Sequence, residues 1–507
     1  MSQALDIVKD TTLTYSQQVL ALARLGESLD NTIEFSEEYL KAKAEGALCD
    51  LNEGKMPYRP RYICPDYDLL FEKGCEFLEL DPPKDLLEAI NVLEIFYNHV
   101  PSVTAYPVYL GDIDRLLEPF VVKEDREYAK KVLKLFLLHI DKVLTDSFVH
   151  MDIGPKDSVT ARIILELTEE MQLAIPNITL KYDPELTSDD FALACIRCML
   201  KTAKPSFANH RMFVKEWGER YAIASCYNGL LQGGGGFTLP RLKLYECSLN
   251  AKSVDDFIEN ELPKYIDLQL EYMDKKVRFC VEESAFFKSN FLVTEGFVKL
   301  ENFTGMFGLV GLAECVNNLL HIEDKTKGFG LNKEATELGL RIMDTIEKRV
   351  ADHVAPYCDA TGHRYRLHAQ VGIDTDGMED SPGTRIPIFA EPSMLEQLEV
   401  NEKFHPYFPT GTGDIFTFEE TYEKTPEAIL PIIKGSLAKG LRYFSGYLEN
   451  CDVVRVTGYL VKKSEIEKLN QKKQSLNNVT IFGKGAQDGQ HALDRRVQHH
   501  EEDSSNQ

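Results

Sequence analysis

IPNITLKYDPELTSDDFALACIRCMLKTAK, residues 175–204, decides the fold class. Its opening, IPNITLKYDP, reads as a β-strand entered after a proline, and SDDFALACIRCMLKTAK reads as a helix that Ser188 can cap. A strand handed on to an amphipathic helix is the unit of a parallel sheet or barrel. Upstream, EDREYAKKVLKLFLLHIDKVL puts Val132, Leu133, Phe136, Leu137, Ile140 and Val143 on one side of a helix. Downstream, LNKEATELGLRIMDTIEKRVADHV carries Leu338, Ile342, Ile346 and Val350 in a stripe. It leads to RYRLHAQVG, which alternates with Tyr365, Leu367, Ala369 and Val371 on one face. GIDTDGMEDSPGTRIPIFAEPSM then reads as a long Gly/Pro/Asp loop of the kind that carries function. Residues 1–100 read as a helical layer with few strand signals, 101–475 as the α/β body and 476–507 as a polar, disordered tail.

Composition narrows the function. The net charge of −24 is spread along the chain, which argues against a nucleic-acid partner, and 43% hydrophobic residues allow a large core. The N-terminus has no basic head and apolar run, so a cytoplasmic protein is expected. FTGMFGLVGLAECVNNLL (303–320) is apolar enough to test as a membrane span, but Glu314, Asn317, Asn318 and its glycines favour a buried turn leading into a helix. Eleven cysteines at scattered spacings fit a reducing compartment and thiols that mostly fill core.

Several motifs are weak. CIRC (195–198) has metal or redox spacing but no second pair and lies in an apolar helix; His499, His500 and Glu501 sit in the tail. No metal site is expected. LLQGGGGFTLPRLKL (230–244) lacks the ending of a P-loop and runs into a strand, though four glycines demand close backbone approach.

CDVVRVTGYLVKKSEIE (451–467) is more informative. The β-pattern of Val453, Val454 and Val456 stops at Thr457-Gly458 and resumes with Tyr459, Leu460 and Val461, as a hairpin would. Favoured two-residue turns prefer Asn-Gly or Gly-Gly, and a β-branched Thr suits them poorly, so a hairpin is not compelled. Ser464 and Glu467 have the spacing of a capping box for the helix that follows. The chemical alternative is a radical on Gly458. An unpaired electron on a glycine α-carbon delocalises onto both flanking peptides, and only glycine lets that centre flatten unhindered.

Arg455-Val456-Thr457-Gly458-Tyr459 resembles the Arg-Val-x-Gly-aromatic signature of glycyl radical enzymes. That chemistry also needs a cysteine. Cys315 follows a glycine-rich run similar to one that anaerobic ribonucleotide reductases carry downstream of their active cysteine. Cys226 is the stronger candidate, because PNITLKYDP, KPSFANHRMF and ERYAIASCYNGLLQGGGGFTLPRLKL resemble, in order, the segments around the family's active cysteine. The similarity spans about residues 105–468, and the whole chain resembles the YjjI family. The resemblance implies a ten-stranded α/β barrel with Cys226 and Gly458 on loops meeting at its centre. It also implies a storage radical on Gly458, within a radical loop near 455–460, as the protein-derived cofactor. The expected partners are a radical S-adenosylmethionine activating enzyme with an iron–sulfur cluster, a small-molecule substrate and, by analogy, a second copy in a homodimer.

The departures matter as much. Ser225 precedes Cys226 where pyruvate formate-lyases have a second cysteine, and Asn228 stands where diol and choline-type lyases place a glutamate base. An amide orients a hydroxyl but does not take its proton. A base would come from elsewhere, with Glu391 and His405 as candidates and Asn228 as a binding residue. Residues 411–458 hold only Cys451, so the zinc quartet of anaerobic ribonucleotide reductases is absent. The rival readings are a reductase-like enzyme without the zinc and allosteric modules, and a non-catalytic radical-domain protein.

Overall fold

The computed structural model describes residues 3–29, 32–50, 53, 58–369, 380–456 and 458–476. Strands are numbered in chain order: β1 Leu48–Cys49, β2 Tyr62–Cys64, β3 His150–Ile153, β4 Asn177–Tyr182, β5 Ser206–Asn209, β6 Tyr221–Ala224, β7 Asn228–Leu231 and β8 Gly234–Gly236. They continue with β9 Arg241–Lys243, β10 Phe303–Thr304, β11 Met306–Val310, β12 Arg366–Ala369, β13 Asp414–Phe418, β14 Tyr443–Leu448, β15 Val453–Arg455 and β16 Leu460–Lys462.

β4 shows why the fold has a polar interior. All of Asn177–Tyr182 is buried, and alternation sends Ile178, Leu180 and Tyr182 to one face and Asn177, Thr179 and Lys181 to the other. Register extends the second face across the sheet: Asn177 pairs with His150, Thr179 with Asp152 and Ser206, Lys181 with Ala208, and Ala208 with Tyr443. Outside, Met151, Ile178, Leu180, Phe207 and Phe444 pack in the hydrophobic core that the helices cover. Inside, polar side chains satisfy one another, as in the 2.8 Å contact of the Ser206 and Ser445 hydroxyls.

This five-stranded sheet has the order β13-β14-β5-β4-β3, parallel except where β14 meets β5. A second sheet, β1-β9-β11-β12, is parallel except at β1, and β10-β8-β2 forms a third. β6–β7 and β15–β16 are antiparallel hairpins. The result is a mixed α/β fold. The expected ten-stranded barrel is not traced as a closed ladder among the described residues, because its strands are short and the ladders stop between sheets. From β12 towards β13, for example, a single backbone bond runs from Ala369 N to Gly411 O, 3.1 Å.

The helix Asp189–Thr202 follows β4 as expected, with the Ser188 hydroxyl accepting from Phe191 N at 3.2 Å; Cys195 and Cys198 are buried core residues of that helix. Arg126–Val143 buries the expected stripe except Val143, which is exposed. Residues 303–320 form β10, β11 and the helix Leu312–Leu319, and no described helix is long and apolar enough to cross a membrane. β1 and β2, in the region read as helical, pair with β9 and β8. The glycine run behaves as its composition demands: a side chain on Gly234 or Gly235 would strike the carbonyl oxygens of Asn302 or Tyr62. The Ser464–Glu467 capping box is corrected. The helix Lys463–Asn470 starts before Ser464, whose N–H and hydroxyl donate to the Asp452 carboxylate at 2.9 and 2.8 Å, tying helix to hairpin. Val371, residues 372–379 at the start of the loop after it, and residues 477–507 with His499, His500 and Glu501 lie outside the described residues.

Candidate active site where two hairpin tips meet

The segment expected to be a radical loop is a hairpin. β15 and β16 pair from Val453↔Lys462 to Arg455↔Leu460, Val456 N donates to Tyr459 O at 3.3 Å, and Gly458 stands in the turn. The second tip is that of β6–β7, where Ala224 pairs with Asn228 and Cys226 lies between them. The tips touch. A Cβ built on Gly458 would collide with Cys226 Cβ and stand 2.8 Å from its Sγ and 3.2 Å from Tyr227 Cε1.

Each tip is held by its peptide oxygens. Gly458 O accepts from Arg455 Nη1 at 3.1 Å and Asn177 Nδ2 at 3.3 Å, while Arg455 Nη2 donates to Asn177 Oδ1 at 2.8 Å and Nε to Ala203 O at 3.1 Å. A guanidinium directed at a carbonyl in a dry site polarises that peptide strongly. Val456 and Tyr459 bury the flanks, with Tyr459 against Phe148 at 5.4 Å between ring centroids.

On the cysteine side, Ser225 adopts a φ of 61°, unusual for a residue with a side chain, and its N–H donates to Val108 O at 2.8 Å. His150 Nδ1–H donates to Ser225 O at 3.0 Å, its Nε2 meets Thr179 Oγ1 at 2.8 Å, and that hydroxyl meets Tyr443 Oη at 2.6 Å. The single hydroxyl hydrogen of Tyr443 is shared between Thr179 Oγ1 and Cys226 O, the latter at 3.0 Å, so one chain from β3, β4 and β14 reaches the carbonyls on both sides of the Cys226 nitrogen. Its members are the polar residues of the buried strand face.

Burial pushes the Cys226 thiol up to about 11, and the thiol donates to Asn228 Oδ1 at 3.3 Å. The sulfur keeps its hydrogen at neutral pH, the state a hydrogen-atom donor requires. Turnover is therefore expected to show no loss from thiol ionisation between about pH 6 and 9, and to decline only towards pH 11. A pH–rate profile of the activated protein that rises with thiolate near pH 8 would contradict this.

The other expected residues lie differently. His405 is buried with its Nδ1 accepting from Arg442 N at 3.1 Å, and burial holds the ring near a pKa of 3, so its contacts are with Arg442 rather than with the hairpin tips. Glu391 is partly exposed ahead of the helix Met394–Phe404. Cys315 is buried in the helix Leu312–Leu319, and the Cys451 thiol donates to Leu200 O at 3.0 Å. Among the described residues no group of three or more His, Cys, Asp or Glu side chains could hold a metal. Sequence reading missed the roles of Asn177, His150, Thr179 and Tyr443, whose signal was polar residues spaced by two within strands.

A family model described as glycyl radical enzyme YjjI-like matches residues 13–498. The chain belongs to that family. A Haemophilus influenzae protein is 43% identical over 502 residues, covering 98% of this chain and 97% of its own length. YjjI of Escherichia coli K12 is 38% identical over 501 residues, 98% of this chain and 96% of YjjI. The fold is similar to the anaerobic ribonucleotide reductase of Thermotoga maritima with glycerol in its active site, at a TM-score of 0.73 and 14% identity over 94% of each chain. It is also similar to hydroxyproline dehydratase of Clostridioides difficile with trans-4-hydroxy-L-proline bound, at a TM-score of 0.68 and 13% identity over 98% of this chain and 88% of that one. In this YjjI-like chain the hairpin that carries Gly458 faces the tip that carries Cys226.

Proposed function

We propose that this YjjI-like protein is a cytoplasmic, anaerobic glycyl radical enzyme in which Gly458 stores the radical and Cys226 delivers it to a small substrate. The observation that carries the reading is the contact of the two hairpin tips. A Cβ on Gly458 would lie along one of its two Cα–H bonds, and that direction ends at the Cys226 side chain. Transfer of a hydrogen atom needs such contact and little else from the protein.

The steps balance simply. A radical S-adenosylmethionine activase removes one hydrogen atom from Gly458. In turnover the α-carbon radical takes the hydrogen of the Cys226 thiol, restoring glycine and leaving a thiyl, and the thiyl takes a hydrogen atom from a substrate C–H. Arg455 and Asn177 polarise the Gly458 carbonyl, the electron-accepting partner of the radical centre, while the Gly458 nitrogen is the donating partner. His150, Thr179 and Tyr443 fix the Cys226 loop so that the sulfur serves Gly458 and the substrate in turn. Exclusion of water and oxygen follows from burial, since Cys226 is 2% exposed. The family's ten-stranded barrel is the frame in which this reading sets the two loops.

The test is anaerobic activation followed by electron paramagnetic resonance and then admission of air. A doublet from the remaining α-hydrogen, followed by chain scission at Gly458, is expected. A silent spectrum and an intact chain with a competent activase would sink the proposal.

A further inference from the structure

One imidazole near Cys226 has a lone pair with nothing to accept. His368 lies in a row with Gly308 and Arg241 across β12, β11 and β9 and is fully buried. Its Nδ1 is 3.1 Å from Thr410 O and 3.3 Å from Thr410 Oγ1, and the Thr410 hydroxyl donates its own hydrogen to Leu367 O at 2.6 Å. A carbonyl does not donate, so Nδ1 carries the ring's proton and Nε2 is a bare acceptor. Nε2 is buried without a hydrogen-bond partner among the described residues, and burial keeps the ring neutral by pushing it down to about 3. An unmet buried acceptor is costly, and a ligand that donates to it recovers that cost.

The complementary group sits on the same ring. Tyr227, the residue after Cys226, is fixed by its hydroxyl on Ala369 O at 2.8 Å; His368 is 5.7 Å from its ring centroid and the Arg385 guanidinium carbon 5.9 Å. Arg385 is 6% exposed, its Nε donates to Gly413 O at 2.5 Å, and its Nη1 is buried without a partner among the described residues. The nearest carboxylate among the described residues, Asp414 at 3.7 Å from Nε, is engaged by Gln397, Asn401 and Ile415 N. Around the ring of Tyr227, the residue next to the cysteine, there are thus an acceptor in need of a donor and a cationic donor with an unmet N–H.

We propose that the substrate is a small hydroxy acid, its hydroxyl donating to His368 Nε2 and its carboxylate accepting from Arg385. This rests on reading Cys226 as the reactive residue. A second anionic oxygen at His368 would set lone pair against lone pair. An ammonium group would sit in the field of Arg61 and Arg385, Arg61 being close enough to bear on the His368 ring. Anchored at hydroxyl and carboxylate, the carbinol C–H between them is the bond presented to the sulfur. His368 acts as a binding and orienting group.

The experiment uses the unactivated full-length protein, so it stands or falls apart from the radical. Calorimetric titration compares glycolate, lactate and glycerate with acetate and propionate, which lack the hydroxyl, and with glycerol, which lacks the charge. The hydroxy acids are expected to bind at least about tenfold tighter than their deoxy counterparts and than glycerol, a difference of about 1.4 kcal/mol. His368→Phe should erase the preference for the hydroxyl, His368→Gln, with an amide oxygen to accept, should keep part of it, and Arg385→Lys should weaken hydroxy and deoxy acids alike. Equal binding of lactate and propionate, no binding of any hydroxy acid, or an unchanged preference in His368→Phe would overturn the proposal. The wild-type comparison decides even where a variant fails to fold. Hydroxyl selectivity without an activatable radical would instead count against the reading of Gly458 and leave this site standing.

Discussion

Gly458→Ala is expected to give no glycyl radical after activation and to unseat the hairpin that carries it. The new methyl would be driven into the Cβ of Cys226, with the sulfur at 2.8 Å and the Tyr227 ring edge at 3.2 Å, and the Cβ, bonded to the backbone, does not swing aside as a side-chain tip would. Overpacking of this kind costs about 1–3 kcal/mol, here concentrated on a short two-stranded hairpin. Hydrogen exchange should therefore rise between Val453 and Lys462 while the five-stranded sheet keeps its protection. A double-mutant cycle sharpens the point. Cys226→Gly removes both clashing atoms and should restore most of the stability lost in Gly458→Ala, yet restore no radical. Additive effects of the two substitutions would show that the tips do not press on one another.

How much of this was legible in the sequence depended on whether a pattern was local. The helix after β4 was, because Ser188 and the apolar spacing of its residues are local facts. The contact of Cys226 with Gly458 was anticipated from two separate signatures, and the hairpin reading of 451–467, which looked like a rival to the proposed chemistry, is what sets Gly458 against Cys226. The polar lining was harder. In a strand buried on both faces, Asn177, Thr179 and Lys181 give the same alternation as an ordinary half-solvated strand, and only register shows that their face turns inward. His368 hid likewise inside RYRLHAQVG, where the apolar face was read and the opposite face was not. The capping box failed because Asp452, twelve positions before Ser464, supplies the acceptor. Links between sheets, such as that from Ala369 N to Gly411 O, leave no mark on local composition.

Cys226→Ala separates storage of the radical from its use. Alanine removes the sulfur and leaves Gly458, Arg455 and Asn177 untouched, so the two hydrogen bonds on the Gly458 carbonyl persist and the radical should still form. Spin yield within about twofold of wild type is expected, with turnover reduced to background, since relay of a hydrogen atom needs a carrier in contact and the alanine methyl is none. Cys226→Ser should do no better. Its O–H bond is stronger than S–H, so the glycyl radical would be drawing hydrogen uphill, and the serine hydroxyl would still bond Asn228 in the place of the thiol. The alternative outcome is equally readable: if Cys226→Ala folds normally but forms no radical, the cysteine is shaping the pocket around Gly458 instead of reacting. The Tyr443–Cys226 O bond makes that distinction fair, because it belongs to the backbone and survives either substitution, so the loop stays gripped while its chemistry is removed.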